Sequence, residues 1–307
     1  MAREQAGRDP GIRRRTPLLP RGTGRNDLGI LYTIPRIPVA DPIIEIRDVY
    51  KVFVPRGGRE RRAFVALRGV ALTIDAGRFV SFVGPSGCGK STLLNMIAGL
   101  VHPTDGQVRY RGTPVDGINT DVGYITQDDN LLPWRTLQEN VELALEFRGV
   151  PAPERRQRAA QYIARVGLAG FEHHYPHELS GGMRKRAALI RTLIYEPSVV
   201  LMDEPFGPLD AQTRVIMQDE LLRLWEGSGK TIVFVTHDLV EAIALSDEIV
   251  LFSRAPGTIK RVYRVPLPRP REVFHIHADP RFPAFYDQLW NDLREEIAEV
   301  GLEATPS

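Results

Sequence analysis

The run Gly84-Pro85-Ser86-Gly87-Cys88-Gly89-Lys90-Ser91, with Thr92 after it, has the residue types and spacing of a phosphate-binding loop. A polyphosphate carries several negative charges and is best met by many backbone N–H groups with no side chains in the way. Gly84, Gly87 and Gly89 let the backbone curl that closely, and a helix following them turns its positive end toward the anion. In such a loop the Lys90 ammonium reaches the β- and γ-phosphates, and the Ser91 hydroxyl holds Mg²⁺. Far downstream, Val199-Val200-Leu201-Met202 ends in Asp203-Glu204, and Ile232-Val233-Phe234-Val235 ends in Thr236-His237-Asp238. Asp203 stands where a carboxylate supporting that Mg²⁺ belongs; two solvated acids at a strand end are the plain alternative. Cys88 reads as a small filler, and its place at a helix N-terminus predicts a lowered thiol pKa and alkylation that a bound nucleotide would block.

Positioning these groups requires strands and helices in a fixed order. Phe79-Val80-Ser81-Phe82-Val83 is a short β-rich run feeding the loop, and residues 91–98 have helical apolar spacing that stops at Gly99. Ile43-Ile44-Glu45-Ile46 and residues 47–53 alternate as strands of an antiparallel sheet, with a turn at Gly57-Gly58 before Phe64-Val65-Ala66-Leu67. From about 130 to 178 the pattern is helical, with a break at Pro151. Strands return at 199–202 and 231–235, each followed by helix-compatible sequence, which predicts a parallel sheet wrapped by helices, an α/β fold. The stripe Phe285, Leu289, Leu293 and Ile297 predicts a terminal helix. Residues 1–42, rich in Arg, Gly and Pro, show neither period and read as a basic, disordered extension. Contact of that extension with anionic lipid stands beside the plainer reading of a solvated tail.

Between the phosphate loop and the acidic strand end lies Leu179-Ser180-Gly181-Gly182-Met183. A phosphate loop alone announces only a nucleotide-binding protein. With this signature in that place the chain resembles the ATP-binding cassette (ABC) family, over roughly residues 43–270 and with the motifs in the family's order. The resemblance implies a P-loop NTPase with a RecA-like core, an antiparallel β-subdomain, an inserted α-helical subdomain at about 128–185, and a helical tail at 271–307. It implies ATP and Mg²⁺ as cofactors. It gives Glu204 the polarisation of the attacking water and His237 the contact with the γ-phosphate. Gln127, in Gly123-Tyr124-Ile125-Thr126-Gln127, would join Mg²⁺ to the helical subdomain. Phe53 would stack on adenine, with Tyr50 a rival for that place and core packing the alternative role. Ser180, Gly181 and Gly182 would act on the γ-phosphate held by a second copy of the chain, so the functional unit would be a head-to-tail ATP-sandwich dimer. Asp210, in Gly207-Pro208-Leu209-Asp210, matches the loop that links the two sites. Pro208 stands where relatives usually carry a small residue, and Lys185 where they more commonly carry Gln.

Bulk properties narrow the setting. The chain has 307 residues, 43% hydrophobic and 25% charged, the balance of a soluble globular protein. Its 40 basic and 38 acidic residues leave +2, which gives no argument for nucleic acid as a partner. No run approaches the roughly 18 apolar residues of a membrane span, and Thr16-Pro17-Leu18-Leu19-Pro20 after Arg13-Arg14-Arg15 is no secretory core. Cys88 is the sole cysteine, so a disulfide framework is excluded and a reducing cytoplasm fits. His173, His174 and His177, and separately His275 and His277, lack the partners of a zinc set.

Leu131-Leu132-Pro133-Trp134-Arg135-Thr136 follows the glutamine loop, where family members receive a coupling helix from a membrane subunit. Together with Asp203-Glu204-Pro205-Phe206-Gly207, Arg254-Ala255-Pro256-Gly257 and Leu267-Pro268-Arg269-Pro270-Arg271, it resembles the ATPase subunits of nitrate, sulfonate and taurine importers. That branch implies an ATP hydrolase peripheral to the cytoplasmic face of the cell membrane. A transmembrane permease would dock near Leu131, Leu132, Pro133 and Trp134, and a periplasmic or extracellular solute-binding protein would act indirectly. The alternatives are an ABC ATPase driving another cargo, a soluble one serving DNA repair or translation, and a subunit that hydrolyses poorly.

Overall fold

Strand β1 (Pro42–Phe53) is the first element of this computed structural model, which describes residues 42–54 and 63–303. Residues 1–41 of the basic extension and the turn expected at Gly57-Gly58 lie outside the described residues. β1 pairs antiparallel with β2 (Phe64–Asp75). The alternation read as two successive strands is a single strand with a register shift between Ile46 and Val49. Asp48 takes a left-handed φ of 45° there, the extra residue of a bulge that returns Val49 to the buried face.

β3 (Phe79–Val83) then leads into α1 (Lys90–Ile97), followed by β4 (Asp105–Tyr110), β5 (Thr113–Pro114) and β6 (Val122–Ile125). Next come α2 (Leu137–Phe147), α3 (Ala152–Arg165) and α4 (Gly181–Leu193). β7 (Val199–Asp203), α5 (Ala211–Trp225), β8 (Thr231–Val235), α6 (Leu239–Leu245) and β9 (Glu248–Phe252) alternate after them. β10 (Ile259–Arg264) and α7 (Phe282–Glu303) finish the fold.

One sheet has the order β2-β1-β4-β5 and is antiparallel; the other has the order β10-β9-β3-β8-β7-β6. The second is parallel except at β10, an antiparallel edge that the sequence pattern does not announce. β3 and β8 are buried at every residue, so they read as unbroken apolar runs rather than alternating ones. Their side chains part to two faces. Val80, Phe82, Leu201 and Val233 pack with Leu93, Leu94 and Ile97 of α1 and with Ile44 and Ile46 of the antiparallel sheet. Phe79, Met202 and Phe234 pack with Met217 and Leu221 of α5, Ile243 of α6 and Phe285 and Leu289 of α7. A third core, built by Leu137, Val141, Ile163, Ala187 and Ile190, joins α2, α3 and α4 into the helical layer.

The terminal helix forms as expected, but its buried stripe stops at Leu293, and Ile297 is 45% exposed. Polar ties hold it to the edge strand: the Tyr263 hydroxyl and Arg261 bond Asp292, and Lys260 donates to Glu295 at 2.8 Å.

Gly106 marks the closest backbone approach beside the β1 bulge. Its φ is 78°, and a Cβ there would lie 2.1 Å from the Asp48 carbonyl oxygen. Backbone cannot yield as a side chain can, so Gly106→Ala is expected to destabilise the fold by at least about 2 kcal/mol. Urea unfolding with an unchanged m-value checks this; an unshifted midpoint would show that the bulge relaxes freely.

Candidate functional site

The carboxyl edges of β3, β8 and β7 are neighbours, and the chemistry expected from the sequence sits there. Phe82 pairs with Val235, and Val235 with Asp203, so the segments leaving the strands stand side by side. A cleft of about 230 Å³ opens at this edge, lined by Phe53, Ser86, Gly87, Lys90, Ser91 and Glu204 among others.

The phosphate loop is shaped by glycines at Gly87, with φ 77°, and Gly89, with φ 100°. A Cβ on Gly89 would fall 2.5 Å from Leu67 Cδ2, so β2 presses against the loop from beneath. Gly257 approaches still more closely: its Cβ would be 1.8 Å from the Cys88 carbonyl oxygen. Gly257 N–H donates to Ala66 O at 2.9 Å, and Gly257 O accepts from Arg68 N–H at 3.0 Å. That segment, read from sequence only as a branch marker, is the brace behind the loop. An isolated Gly after Pro carries no signal of such a contact.

Lys90 is almost wholly buried, and its ammonium donates to Gly84 O at 2.8 Å and Pro85 O at 2.9 Å, which holds it over the loop. Cys88 overturns the expectation of a reactive thiol. Its side chain is fully buried in the core beside α1, and burial pushes its pKa up despite the nearby Lys90 charge. The loop turns the sulfur inward, so its place at a helix N-terminus does not decide its acidity.

Ser91 Oγ donates to Asp203 Oδ1 at 2.9 Å. Burial raises the Asp203 pKa, opposed by the Ser91 bond and Lys90 and reinforced by Glu204. A half-buried carboxylate beside a hydroxyl is an oxygen donor set that a hard divalent cation suits, and the charge of such an ion would offset the burial. Among the described residues no three His, Cys, Asp or Glu side chains gather into a metal cage.

Glu204 has a left-handed φ of 45°, a costly conformation for a residue with a side chain. Two bonds fix it: its N–H donates to Val235 O at 3.0 Å, and its carbonyl accepts from Gly207 N–H at 3.2 Å. The carboxylate lies beside His237, whose Nδ1 is 3.1 Å from Glu204 Oε2. Behind His237, the buried Glu241 carboxylate accepts from the Thr236 hydroxyl and, at 2.9 Å, from Gln218 Nε2 of α5. Sequence reasoning passes over Glu241, because a glutamate in the first turn of a helix reads as a charge at the helix dipole.

Phe53 lines the cleft, whereas the Tyr50 hydroxyl lies against Gly69, away from it. Gln127 approaches the segment after Glu204: a Cβ on Gly207 would be 3.7 Å from its Nε2. Ser180 caps α4 by accepting from Met183 N–H at 3.3 Å, and Asp210 caps α5 by accepting from Thr213 N–H at 3.0 Å. Those two helix starts abut, since a Cβ on Gly182 would be 3.0 Å from Thr213 Cγ2. Ser180, Gly181, Gly182 and Asp210 are not among the described residues lining this chain's own cleft.

The expected docking segment divides in two. Leu131 is buried in the helical core, so it is no part of a surface; Trp134 is 70% exposed and Pro133 is exposed with it. The divide comes from Asn140, a fully buried amide that accepts from Leu132 N–H at 2.7 Å. The same amide donates to the carbonyls of Leu132, Arg135 and Thr136. Thr136 and Glu139 add a capping box at the start of α2. The indole stands at the rim of a groove of about 720 Å³ that also takes in Arg135, Glu139, Glu142, Arg155 and His173.

Fold and site together define an ATP-binding P-loop NTPase that hydrolyses ATP. A family model described as ABC transporter matches residues 67–207. An uncharacterized ABC transporter ATP-binding protein of Methanocaldococcus jannaschii is 43% identical over 254 residues, covering 83% of this chain and 92% of that relative. The chain belongs to the ABC transporter family as one of its ATP-binding proteins. The nitrate import ATP-binding protein of Synechocystis is 41% identical over 261 residues, covering 83% of this chain and 97% of its own length. The taurine import ATP-binding protein of Yersinia pestis is 47% identical over 194 residues, covering 63% and 76%. A dimeric post-hydrolysis structure of an ATP-binding cassette bound to ADP and Pi superposes with a TM-score of 0.64 at 34% identity, covering 73% of this chain and all of that one.

Two expectations follow. Gly257→Val is expected to push on the Cys88 carbonyl and weaken ATP binding at least about 10-fold, read by titration with a fluorescent nucleotide; equal affinity would mean the brace is idle. Burial raises the Glu241 pKa to about 7 from 4.5. The stability it contributes is therefore full below 4.5 and is lost as pH rises through about 7. Glu241→Gln, which keeps the shape without the charge, is expected to raise Tm above neutrality by a few °C and to flatten its fall with pH. Parallel Tm profiles of the two proteins would show that the pair of hydrogen bonds, not the charge, governs this site.

Proposed function

We propose that this chain is the ATP-hydrolysing subunit of an importer for a small anion such as nitrate, a sulfonate or taurine. In this reading it works at the cytoplasmic face of the membrane as a head-to-tail pair beneath a permease. The observation that carries the transport reading is Trp134: a large exposed indole seven residues after Gln127, on a segment whose flanking backbone at Leu132 and Arg135 is held by the buried Asn140. An exposed aromatic beside a polar groove is the anatomy of a docking site. Support for the anion class comes from the nitrate and taurine import relatives.

In this reading the glycine loop cradles the phosphates, and the Lys90 ammonium turns from the loop carbonyls to the β- and γ-phosphates. Phe53 stacks on the adenine. Ser91, Asp203 and Gln127 would hold Mg²⁺, which when bound supplies charge neutralisation at the phosphates. Glu204 accepts a hydrogen bond from the attacking water and turns its lone pair toward the γ-phosphorus. His237, fixed by Glu204 and by the Thr236 turn, contacts the γ-phosphate. Ser180, Gly181 and Gly182 of one copy complete the site of the other from a helix N-terminus, with Asp210 between the two sites. A poorly hydrolysing subunit would not need the strained Glu204 backbone or its bond to His237.

Glu204→Gln is expected to keep ATP affinity and accumulate an ATP-bound dimer while turnover falls roughly 10²–10⁴-fold. Size-exclusion light scattering and phosphate release measure both, and wild-type turnover would remove Glu204 from its role. For the transport reading, the chain is co-expressed with the genes flanking its locus and purified from solubilised membranes. Recovery with a multi-span permease, and ATPase stimulated by one anion with its binding protein, is expected. Trp134→Ala should bind ATP normally but lose the permease. A protein with no membrane partner would favour a soluble ABC ATPase.

A further inference from the structure

The nucleotide cleft is lined by two kinds of surface. Its polar side chains, Ser86, Lys90, Ser91, Thr92 and Glu204, belong to the phosphate loop, the start of α1 and the residue after β7. Among the described residues the other side chains lining it are apolar and come from the two outer strands: Phe53 of β1, and Phe64 and Ala66 of β2. Phe53 and Phe64 stand directly opposite each other in the β1–β2 ladder, and residues so paired put their side chains on the same face. Phe64 and Ala66 share that face through the two-residue period of a strand. The distance of this strand from the phosphate loop is fixed two residues further on. Ala66 O accepts from Gly257 N–H at 2.9 Å, and the Leu67 side chain lies against Gly89.

The two rings are not equivalent. Phe53 is 42% exposed, and the Lys51 ammonium lies 5.0 Å from its ring centre, held there by donating to His102 O at 2.7 Å. Phe64 is 50% exposed and packs into none of the three buried cores. A phenyl ring left half in water adds little to folding, so the burial of its remaining surface is available to a ligand. Two apolar rings at one end of a phosphate-binding cleft suit a flat heteroaromatic group. We propose that Phe64 is a second nucleobase-contacting residue of the ATP site, which bounds the base together with Phe53 and favours purine over pyrimidine nucleotides. A purine's fused rings offer a surface to both phenyl groups at once, and a pyrimidine's single ring offers less. This rests on the reading that puts the base at Phe53, not on the cargo or the permease.

The test uses the full-length chain and its Phe64→Ala, Phe64→Leu and Phe64→Trp variants, with Phe53→Ala beside them. Titration calorimetry in EDTA, where hydrolysis stops, measures ATP and CTP. Tripolyphosphate, which has no base, is measured by its displacement of ATP. Phe64→Ala is expected to weaken ATP binding about fivefold or more, the scale of one lost base–aromatic contact, while tripolyphosphate stays within about twofold of wild type. The preference for ATP over CTP should shrink about threefold or more, and Phe64→Trp should restore both. Phe64→Leu, with apolar bulk but no ring, should fall between wild type and Phe64→Ala. Unchanged ATP affinity in Phe64→Ala, or an equal loss for tripolyphosphate, would overturn the proposal and leave Phe64 as a cross-strand partner that steadies the ends of β1 and β2. An equal loss for ATP and CTP would overturn the purine preference. Failure of the underlying reading shows separately, as a Phe53→Ala variant that binds ATP as wild type does.

Discussion

The parallel pairing of β3, β8 and β7 is the constraint on which the rest of this molecule depends. Their hydrogen-bond register sets Phe82, Val235 and Asp203 in one row. The phosphate loop, the His237 turn and Glu204 leave from the same edge. Because these strands are buried almost throughout, their backbone groups have no water to turn to, and a slip of register would leave them unpaired. The site inherits its precision from that penalty. Antiparallel pairing would send neighbouring strands' carboxyl ends to opposite edges, and Ser91, Asp203, Glu204 and His237 could not meet.

On this frame a few buried polar groups set directions that hydrophobic packing cannot. Asn140 divides a short segment into a buried Leu131 and an exposed Trp134 by satisfying the backbone groups between them. Glu241 ties the turn before His237 to α5, the helix that Asp210 caps. Lys185 ties Gln127 to α4; burial pushes its pKa down to about 8, against the pull of Asp129 and Asp128. Each costs desolvation, and each returns a fixed geometry more than it returns stability. Gly257 does the same by absence, since its missing side chain is what admits the Cys88 carbonyl.

Much of the site is legible in the chain of residues alone. The glycine loop, Asp203-Glu204 and the 179–183 signature are each contiguous in the chain, and the placement of their backbone and short side chains follows from local conformation. The fold class is legible for a similar reason, since apolar runs alternating with helical stretches admit few layer arrangements. β10 is not legible: Ile259–Arg264 has a strand's alternation only weakly, and it forms because β9 offers an open edge. Gly257, Asn140 and Glu241 escape notice because a lone Gly, Asn or Glu has many ordinary uses. An Asn in the middle of an otherwise apolar helical stripe is the one available hint.

The sequence by itself determined that a phosphate-loop motif would lie between a strand and a helix, that acidic residues would end a second strand, and that strands and helices would alternate around them. Local spacing suffices there, because a loop's donors and a helix's positive end come from consecutive residues. Only the tertiary structure decided that the Cys88 thiol faces the core and is driven up in pKa, that Leu131 is inside while Trp134 is out, and that Glu204 meets His237. Those outcomes depend on which residues distant in the chain arrive as neighbours. Burial, dielectric and hydrogen-bond partnership are properties of the packed neighbourhood, not of the residue.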